Sequence, residues 1–466
     1  MQRRANYQIR ILITHMKKLS FPLLLLISMI GLVACGDGGG GGASSSGGGS
    51  GGNEKVWIQT SAGSFETPAL AATYSFSSAP GYSLAVHYLY PIDLNDDGVD
   101  ELLVVGFETQ PNTPENYKNT KISILGWSNG QFVNLTSQWL PNNADQVEGV
   151  GDIAVGDFNN DGRMDIFLSA YADMTFNVNA YQLINKGGYL EKTAIESLVG
   201  WQHGVSAGDI NRDGYMDVFA VGYGDSSRVY LGGPSGLTSH GFTSYAGGSG
   251  VAMADFLNDG TTTAFIVDFG NDRVNNSVLM RLEADGSGGY SLSRVSTPPG
   301  PLLGDIGHNV RSKAFDFNED GLMDVLVFTR ENWNGSQWPV NSKIQFLKNN
   351  GGGQFIDVTS DILIGYQTNS NVSYTPVIID LNRDGRTDIF ISEGQWTDDN
   401  NSTAMLIKGS DGKFVDTGRA ELSGQVSSSG GMATALHGPN GKLYFAFDAQ
   451  ARGGSATISL SEFTPR

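Results

Sequence analysis

Short apolar runs separated by turn residues fill the chain from Leu84 onward. Leu102-Leu103-Val104-Val105, Ile166-Phe167-Leu168, Val218-Phe219-Ala220-Val221, Val325-Leu326-Val327-Phe328 and Ile389-Phe390-Ile391 are all short and rich in β-branched or aromatic residues. Runs of this kind predict buried β-strands rather than helices. Other strand-like segments, such as Val150 to Val155 and Thr375 to Ile379, precede them. Further along each unit a glycine turn meets a large apolar residue. The pairs are Gly130 with Phe132, Gly188 with Tyr189, Gly236 with Leu237, Gly289 with Tyr290, Gly353 with Phe355 and Gly412 with Phe414. This second landmark predicts a hairpin between the outer strands of a repeated β-unit.

Between the first two strands of each unit lies a polar motif, D-x-N-x-D-G-x-x-D/E. It is intact at Asp93-Asn95-Asp97-Gly98-Glu101, Asp157-Asn159-Asp161-Gly162-Asp165 and Asp209-Asn211-Asp213-Gly214-Asp217. Two more intact copies are Asp316-Asn318-Asp320-Gly321-Asp324 and Asp380-Asn382-Asp384-Gly385-Asp388. A damaged copy sits at Asp255-Leu257-Asp259-Gly260-Thr263, and an eroded one aligns as Leu436-Gly438-Asn440-Gly441. Successive copies are 46 to 64 residues apart. That is too long for a nonapeptide β-roll or a leucine-rich repeat, and it suits four-stranded propeller blades with insertions. The expected fold is all-β, a seven-bladed β-propeller over residues 54–466, about 59 residues per blade.

The motif also has a chemistry. Oxygen side chains at positions 1, 3 and 5, a glycine at 6 and a carboxylate at 9 describe a calcium-binding loop. Position 7 offers only its backbone carbonyl, so its side chain is free to vary, as it does: Val99, Arg163, Tyr215, Leu322 and Arg386. An EF-hand needs a bidentate Glu at position 12 and flanking helices. Position 12 here is Val104, Leu168, Ala220, Val327 or Ile391, always apolar and inside a strand. Converging carboxylates repel unless a cation lies between them, and a flexible all-oxygen loop suits Ca2+ better than Mg2+. The expectation is about five structural calcium sites. The damaged copy has lost two ligands and the eroded one all of its carboxylates. The rival reading is a set of plain Asx-turns with solvated acids.

With these motifs the chain resembles the FG-GAP/VCBS repeat proteins, across nearly all of Leu84 to Phe463. The resemblance implies an integrin-α-like β-propeller with calcium-binding loops, and a role in adhesion, carbohydrate recognition or protein contact. A propeller of this kind can be closed by its N-terminal strand. Lys55 to Ser61 is the strand expected to complete the last blade, the alternative being an independent strand.

The N-terminus reads as an address. Phe21 to Ala34 is a mostly apolar run behind Lys17 and Lys18, too short to span a bilayer and of signal-peptide length. It ends in Leu32-Val33-Ala34-Cys35, which resembles a bacterial lipobox and implies lipidation of Cys35, the sole cysteine. Residues 1–35 are thus assigned as the signal; Met16 to Cys35 is itself a complete one, so Met16 is an alternative start. Residues 36–53, almost entirely Gly and Ser, cannot bury enough surface to fold and form a flexible tether. The resemblance implies an exported protein, lipid-anchored in the cell envelope, at the outer membrane or cell surface.

Charge narrows the partners. Forty-eight acids against 29 bases give −19, which repels nucleic acid. A single cysteine excludes a disulfide framework and any multi-cysteine metal site. What remains is a binding or adhesion module for a protein or glycan. The alternative is a polysaccharide-active lyase or hydrolase on the same propeller. His87, His203 and His308 precede loops at similar offsets and are candidates to converge on one end of a central channel. Trp333 and Trp338, in a polar insertion, are candidates for stacking on sugar. No nucleophile elbow, zinc helix or P-loop is present.

Overall fold

The computed structural model describes residues 57–60, 63–66, 70–77, 83–109, 120–171, 177–223, 226–242, 247–268, 277–302, 307–331, 342–366, 376–393, 402–417, 433–448 and 455–463. Seven antiparallel sheets follow one another in chain order, each with sequential strands hydrogen-bonded side by side. Blade 1 comprises Ser83–Ile92, Glu101–Thr109, Thr120–Ser128 and Gln131–Asn134, and blade 2 Val150–Gly156, Asp165–Ala170, Asn177–Asn185 and Leu190–Val199. Blade 3 is Trp201–Gly208, Asp217–Tyr223, Arg228–Leu231 and Thr238–His240; blade 4 is Gly250–Ala254, Thr263–Val267, Val278–Ala284 and Tyr290–Ser296. Blade 5 is Gly307–Phe315, Asp324–Glu331, Ser342–Asn349 and Phe355–Asp357; blade 6 is Val377–Ile379, Asp388–Glu393, Ser402–Lys408 and Phe414–Asp416. Blade 7 takes Ala433–His437, Leu443–Asp448 and Ser455–Phe463 from the end of the chain, and Leu70–Ser77 from its beginning.

That last pairing closes the ring, with a different strand from the one the sequence suggested. Leu70 lies opposite Ser461 and Ser77 opposite Ser455. Trp57–Thr60 instead pairs locally with Gly63–Glu66 in a separate hairpin. The physical reason is pattern and place. Thr73-Tyr74-Ser75-Phe76 alternates polar with aromatic, as a half-buried outer strand should, and it lies immediately before blade 1.

Each blade packs against both neighbours, and the described residues form seven apolar clusters, one at each junction. Blade 2 shows how the sequence arranges this. Ile166 and Leu168 on its second strand point toward blade 1, whereas Phe167 between them points toward Val218 and Tyr230 of blade 3. All three are fully buried. A strand covered on both faces reads as a continuous apolar run rather than an alternating one, which is why the second strands were the clearest in the sequence. Fourth strands lie on the outer side of their blades and are only partly buried, as in Leu190–Val199; in blade 6 the short strand Leu363–Ile364 adds a parallel edge outside Phe414–Asp416. First strands of blades 2 to 5 lie side by side, as do those of blades 6, 7 and 1, around the axis.

All six glycine turns join third to fourth strands. In blade 1, Asn129 and Gly130 both take positive φ (50° and 77°) between the paired Ser128 and Gln131, the two-residue hairpin that needs such residues. In blade 2 the buried residue after the turn is Leu190; its neighbour Tyr189 is exposed.

Candidate functional site

Each intact acidic loop joins the first strand of its blade to the second. In blade 2, Gly156 pairs with Asp165, leaving the eight preceding motif positions as the turn. Position 4 enters the left-handed region (Asp96, Asn160, Arg212, Glu319 and Arg383, φ 56° to 63°), and the glycine at position 6 follows with φ of 81° to 94°. Two consecutive turns of this kind aim the loop N–H groups inward. Asp157 Oδ1 accepts from Asp161 N at 3.0 Å and Oδ2 from Gly162 N at 2.7 Å. Asn159 Oδ1 accepts from Asp161 N at 3.0 Å, and Asp161 Oδ1 from Arg163 N at 3.0 Å. The same four bonds recur in the loops beginning at Asp93, Asp209, Asp316 and Asp380.

Position 9 does something the sequence did not disclose. Asp165, Asp217, Asp324 and Asp388 are fully buried, and each clamps two backbone N–H groups. One belongs to loop position 2 (Phe158, Ile210, Phe317, Leu381), the other to the end of the third strand (Asn185, Gly232, Asn349, Lys408), at 2.7 to 3.2 Å. Glu101 accepts from Leu94 N at 3.0 Å and from the Asn95 amide. Burial pushes these carboxyls up, Glu101, Asp165 and Asp324 to about 7, Asp217 and Asp388 to about 6; the N–H bonds pull the other way, and nearby loop carboxylates add to the rise in all five.

Among the described residues no three His, Cys, Asp or Glu side chains are gathered as a metal site. The donor set nonetheless fits a hard cation: it is all oxygen, and each carboxylate oxygen that accepts one N–H has a second acceptor site. Basic side chains meet three of the position 5 carboxylates from one side: Arg163 on Asp161 at 3.1 Å, Lys348 on Asp320 at 3.2 Å and Arg386 on Asp384 at 2.5 Å. The damaged loop keeps the same turn, with Asp255 accepting from Asp259 N and Gly260 N. There Arg281 reaches Asp259 at 2.9 Å and Arg212 at 3.8 Å, and the hydrogen bond from Arg281 is the main force holding that carboxyl below its ordinary value. In blade 7 His437 pairs with Leu443 across a shorter turn, so Leu436 lies within the strand rather than at a loop's first position.

With this geometry in view, the sequence pattern of the FG-GAP-like repeat matches residues 93–168, 209–266 and 316–391. Each stretch begins at one acidic loop and runs through the next. The chain is an FG-GAP repeat β-propeller protein. No curated protein matches it in sequence. Among solved structures, a protein from Lactobacillus plantarum is 12% identical over 75% of this chain and 92% of its own, with a TM-score of 0.44. An exotype rhamnogalacturonan lyase, YesX, is 12% identical over 84% of this chain and 74% of its own (TM-score 0.41). A Bacillus licheniformis rhamnogalacturonan lyase is 14% identical over 87% and 74% (TM-score 0.37). Scores this low carry no chemistry across.

The candidate histidines lie on the other face of the FG-GAP propeller. His87 and His203 are the extra residues of equivalent bulges in the first strands of blades 1 and 3. In blade 5 the bulged residue is Val310, and His308 lies two positions earlier. Burial, and then the charge of Arg311, holds His87 down at about 3, so it is neutral at physiological pH. His203 stands edge-on to Tyr171, Trp201 and Tyr223, with ring centroids 5.2 to 5.7 Å away. Trp333, Trp338, Met16 and Cys35 lie outside the described residues.

The residue sequence reasoning missed is Arg311. From blade 5 its guanidinium donates to the carbonyls of His203 in blade 3 and Ser249 in blade 4, the latter at 2.7 Å. It also faces Asp152 of blade 2 at 3.9 Å. A signal existed: aligned on the acidic loops, Asp152 and Arg311 both lie five residues before a first position, with opposite charge.

Proposed function

We propose that this FG-GAP propeller is an exported, lipid-anchored binding module whose acidic loops hold calcium and whose opposite face recognises a protein or glycan. The observation that carries the reading is how the acids are used. The loop acids repeat with the fold, all on one face, and the position 9 carboxylates hold backbone N–H groups, so the loops themselves account for this set of acids. Calcium would be held by the side chains of positions 1, 3 and 5 and the carbonyl of position 7. In the first loop these are Asp93, Asn95, Asp97 and Val99; the loops at Asp157, Asp209, Asp316 and Asp380 are equivalent. When bound, the ion neutralises clustered carboxylates and so stabilises the folded state.

Titrating chelated protein with calcium in a calorimeter is expected to give about five equivalents. Each site should add roughly 2.7 kcal/mol of stability at a hundredfold excess over its dissociation constant. No heat of binding, or a melting curve indifferent to chelator, sinks the calcium reading. Incubating the calcium-loaded protein with polysaccharides decides the rest: binding without shortened products supports the module, and depolymerised products establish the enzyme.

A further inference from the structure

Tyr171, Trp201 and Tyr223 form one row across two blades, on the face opposite the acidic loops. Tyr171 follows the second strand of blade 2 and is bridged to Trp201, the first residue of blade 3. Trp201 in turn pairs with Tyr223 at the end of the neighbouring strand. The Tyr171 and Trp201 rings lie 6.3 Å apart and 24° from parallel. All three are half-buried, and none belongs to the seven apolar clusters between blades. Beyond Tyr223 the row turns polar: its hydroxyl donates to Asp268 of blade 4 at 2.5 Å, and Ser249 Oγ donates to the same carboxylate at 2.6 Å.

A buried polar network fixes these rings in place. Ser226 Oγ donates to the carbonyls of both Trp201 (3.1 Å) and Tyr223 (2.8 Å). Gln202, fully buried between Trp201 and His203, bonds Ala170 N, Ser226 O and the Tyr230 hydroxyl. Gly222 makes room: a Cβ there would lie 2.0 Å from the Trp201 carbonyl oxygen. Half-buried aromatic rings whose backbone is held this firmly are pre-organised for a ligand.

We propose that this row is a binding site for a neutral glycan, with Trp201 and Tyr171 stacking on the C–H face of a pyranose and the Tyr223 hydroxyl, held from behind by the buried Asp268 and Ser249, accepting from one of its hydroxyls. The inference rests on the binding-module reading and deepens it. Flat apolar faces with a hydroxyl at one end match a sugar ring, whose apolar face is rimmed by hydroxyls. An ammonium cage would need rings around an open centre, and here His203 occupies that centre. A chain of −19 also disfavours acidic sugars.

The test is calorimetric titration of the full-length, calcium-loaded protein with maltohexaose, cellohexaose, xylohexaose and mannohexaose, and with choline. At least one oligosaccharide should bind. Trp201→Ala and Tyr171→Ala should each weaken it at least tenfold, Trp201→Phe less so, and Trp127→Phe, in the core between blades 7 and 1, not at all. Melting curves of each variant, with Trp201→Phe as the conservative reference, guard against a folding defect. Unchanged affinity in both alanine variants moves the glycan site elsewhere while the module reading stands. Saturable choline binding lost in Trp201→Ala, or no oligosaccharide binding at all, overturns the sugar assignment. Shortened products that vanish in Trp201→Ala keep the site and overturn the module.

Discussion

Replacing Arg311 with methionine removes one guanidinium that ties four strands around the axis. Two carbonyls, of His203 and Ser249, lose a charged donor. Each such bond is worth about 1.5–3 kcal/mol. Asp152, whose side chain is 13% exposed, loses its cation as well. Breaking a nearly buried pair from one side typically costs about 3–5 kcal/mol, and the overlap of these terms places the total in that range. With about 2.1 cal/mol/K of unfolding entropy per residue, a body of roughly 400 residues should melt about 4–6 °C lower. The loss should depend on pH in a fixed direction. Burial raises the Asp152 carboxyl above its ordinary value, while Arg311, the N–H groups of Val205 and Ile153, and Lys313 oppose that rise. A raised carboxyl makes the folded state bind its proton more readily than the unfolded one. Stability from this group is therefore greatest below pH 4 and is lost as pH rises through the folded value. Without Arg311 that value climbs further, so Arg311→Met should cost most near pH 7 and least near pH 4. Urea unfolding at both pH values, with Asp152→Asn as the second arm of a double-mutant cycle, measures the coupling. A cost under about 0.5 kcal/mol, or one equal at both pH values, refutes the bridge.

Three further outcomes are expected. Asp161→Ala should remove about one calcium equivalent in a calorimeter, whereas Asp259→Ala should remove none, because that loop has Leu257 and Thr263 in place of two ligands; equal loss from both defeats the loop-by-loop assignment. Deleting residues 1–66 should leave the melting temperature within a few degrees, but deleting residues 1–78 should lower it sharply by taking away the closing strand; similar melts for the two truncations contradict the pairing of Leu70–Ser77 with Ser455–Phe463. Cys35→Ser should release the protein from membrane fractions, and an envelope-bound variant of unchanged mature mass excludes lipidation.

Much of the architecture was legible because a propeller buries the same positions in every blade. Ile166-Phe167-Leu168 and its counterparts are apolar throughout since both blade faces are covered, and the D-x-N-x-D-G spacing fixes the turn before them. The closing strand was less visible. Lys55 to Ser61 and Leu70 to Ser77 are both plausible strands, and only their partners, some 400 residues away, distinguish them. Position 9 was read as a cation ligand, and that reading stands beside a second role that the motif does not record. Its commitment to the N–H groups of Phe158 and Asn185 depends on where the third strand ends, which no local spacing records. The aromatic row at Trp201 escaped notice for the opposite reason: its members come from three separate segments and share no motif.

The clasp formed by Leu70–Ser77 also decides how the molecule bears a mechanical load. The first and last segments of the chain meet as adjacent strands of one blade, so a pull applied through an anchor at the N-terminus would arrive first at Leu70, opposite Ser461. Leu70 lies on the acidic-loop side and Ser77 toward the other face, so a pull between the two faces runs along the strand and loads its rungs together, in shear. If the N-terminus is anchored and a ligand is held on the opposite face, blade 7 is the first to carry the load. The joint that carries the load first is set by where the chain is cut, and a circularly permuted chain, cut within another blade, would shift that joint with the cut.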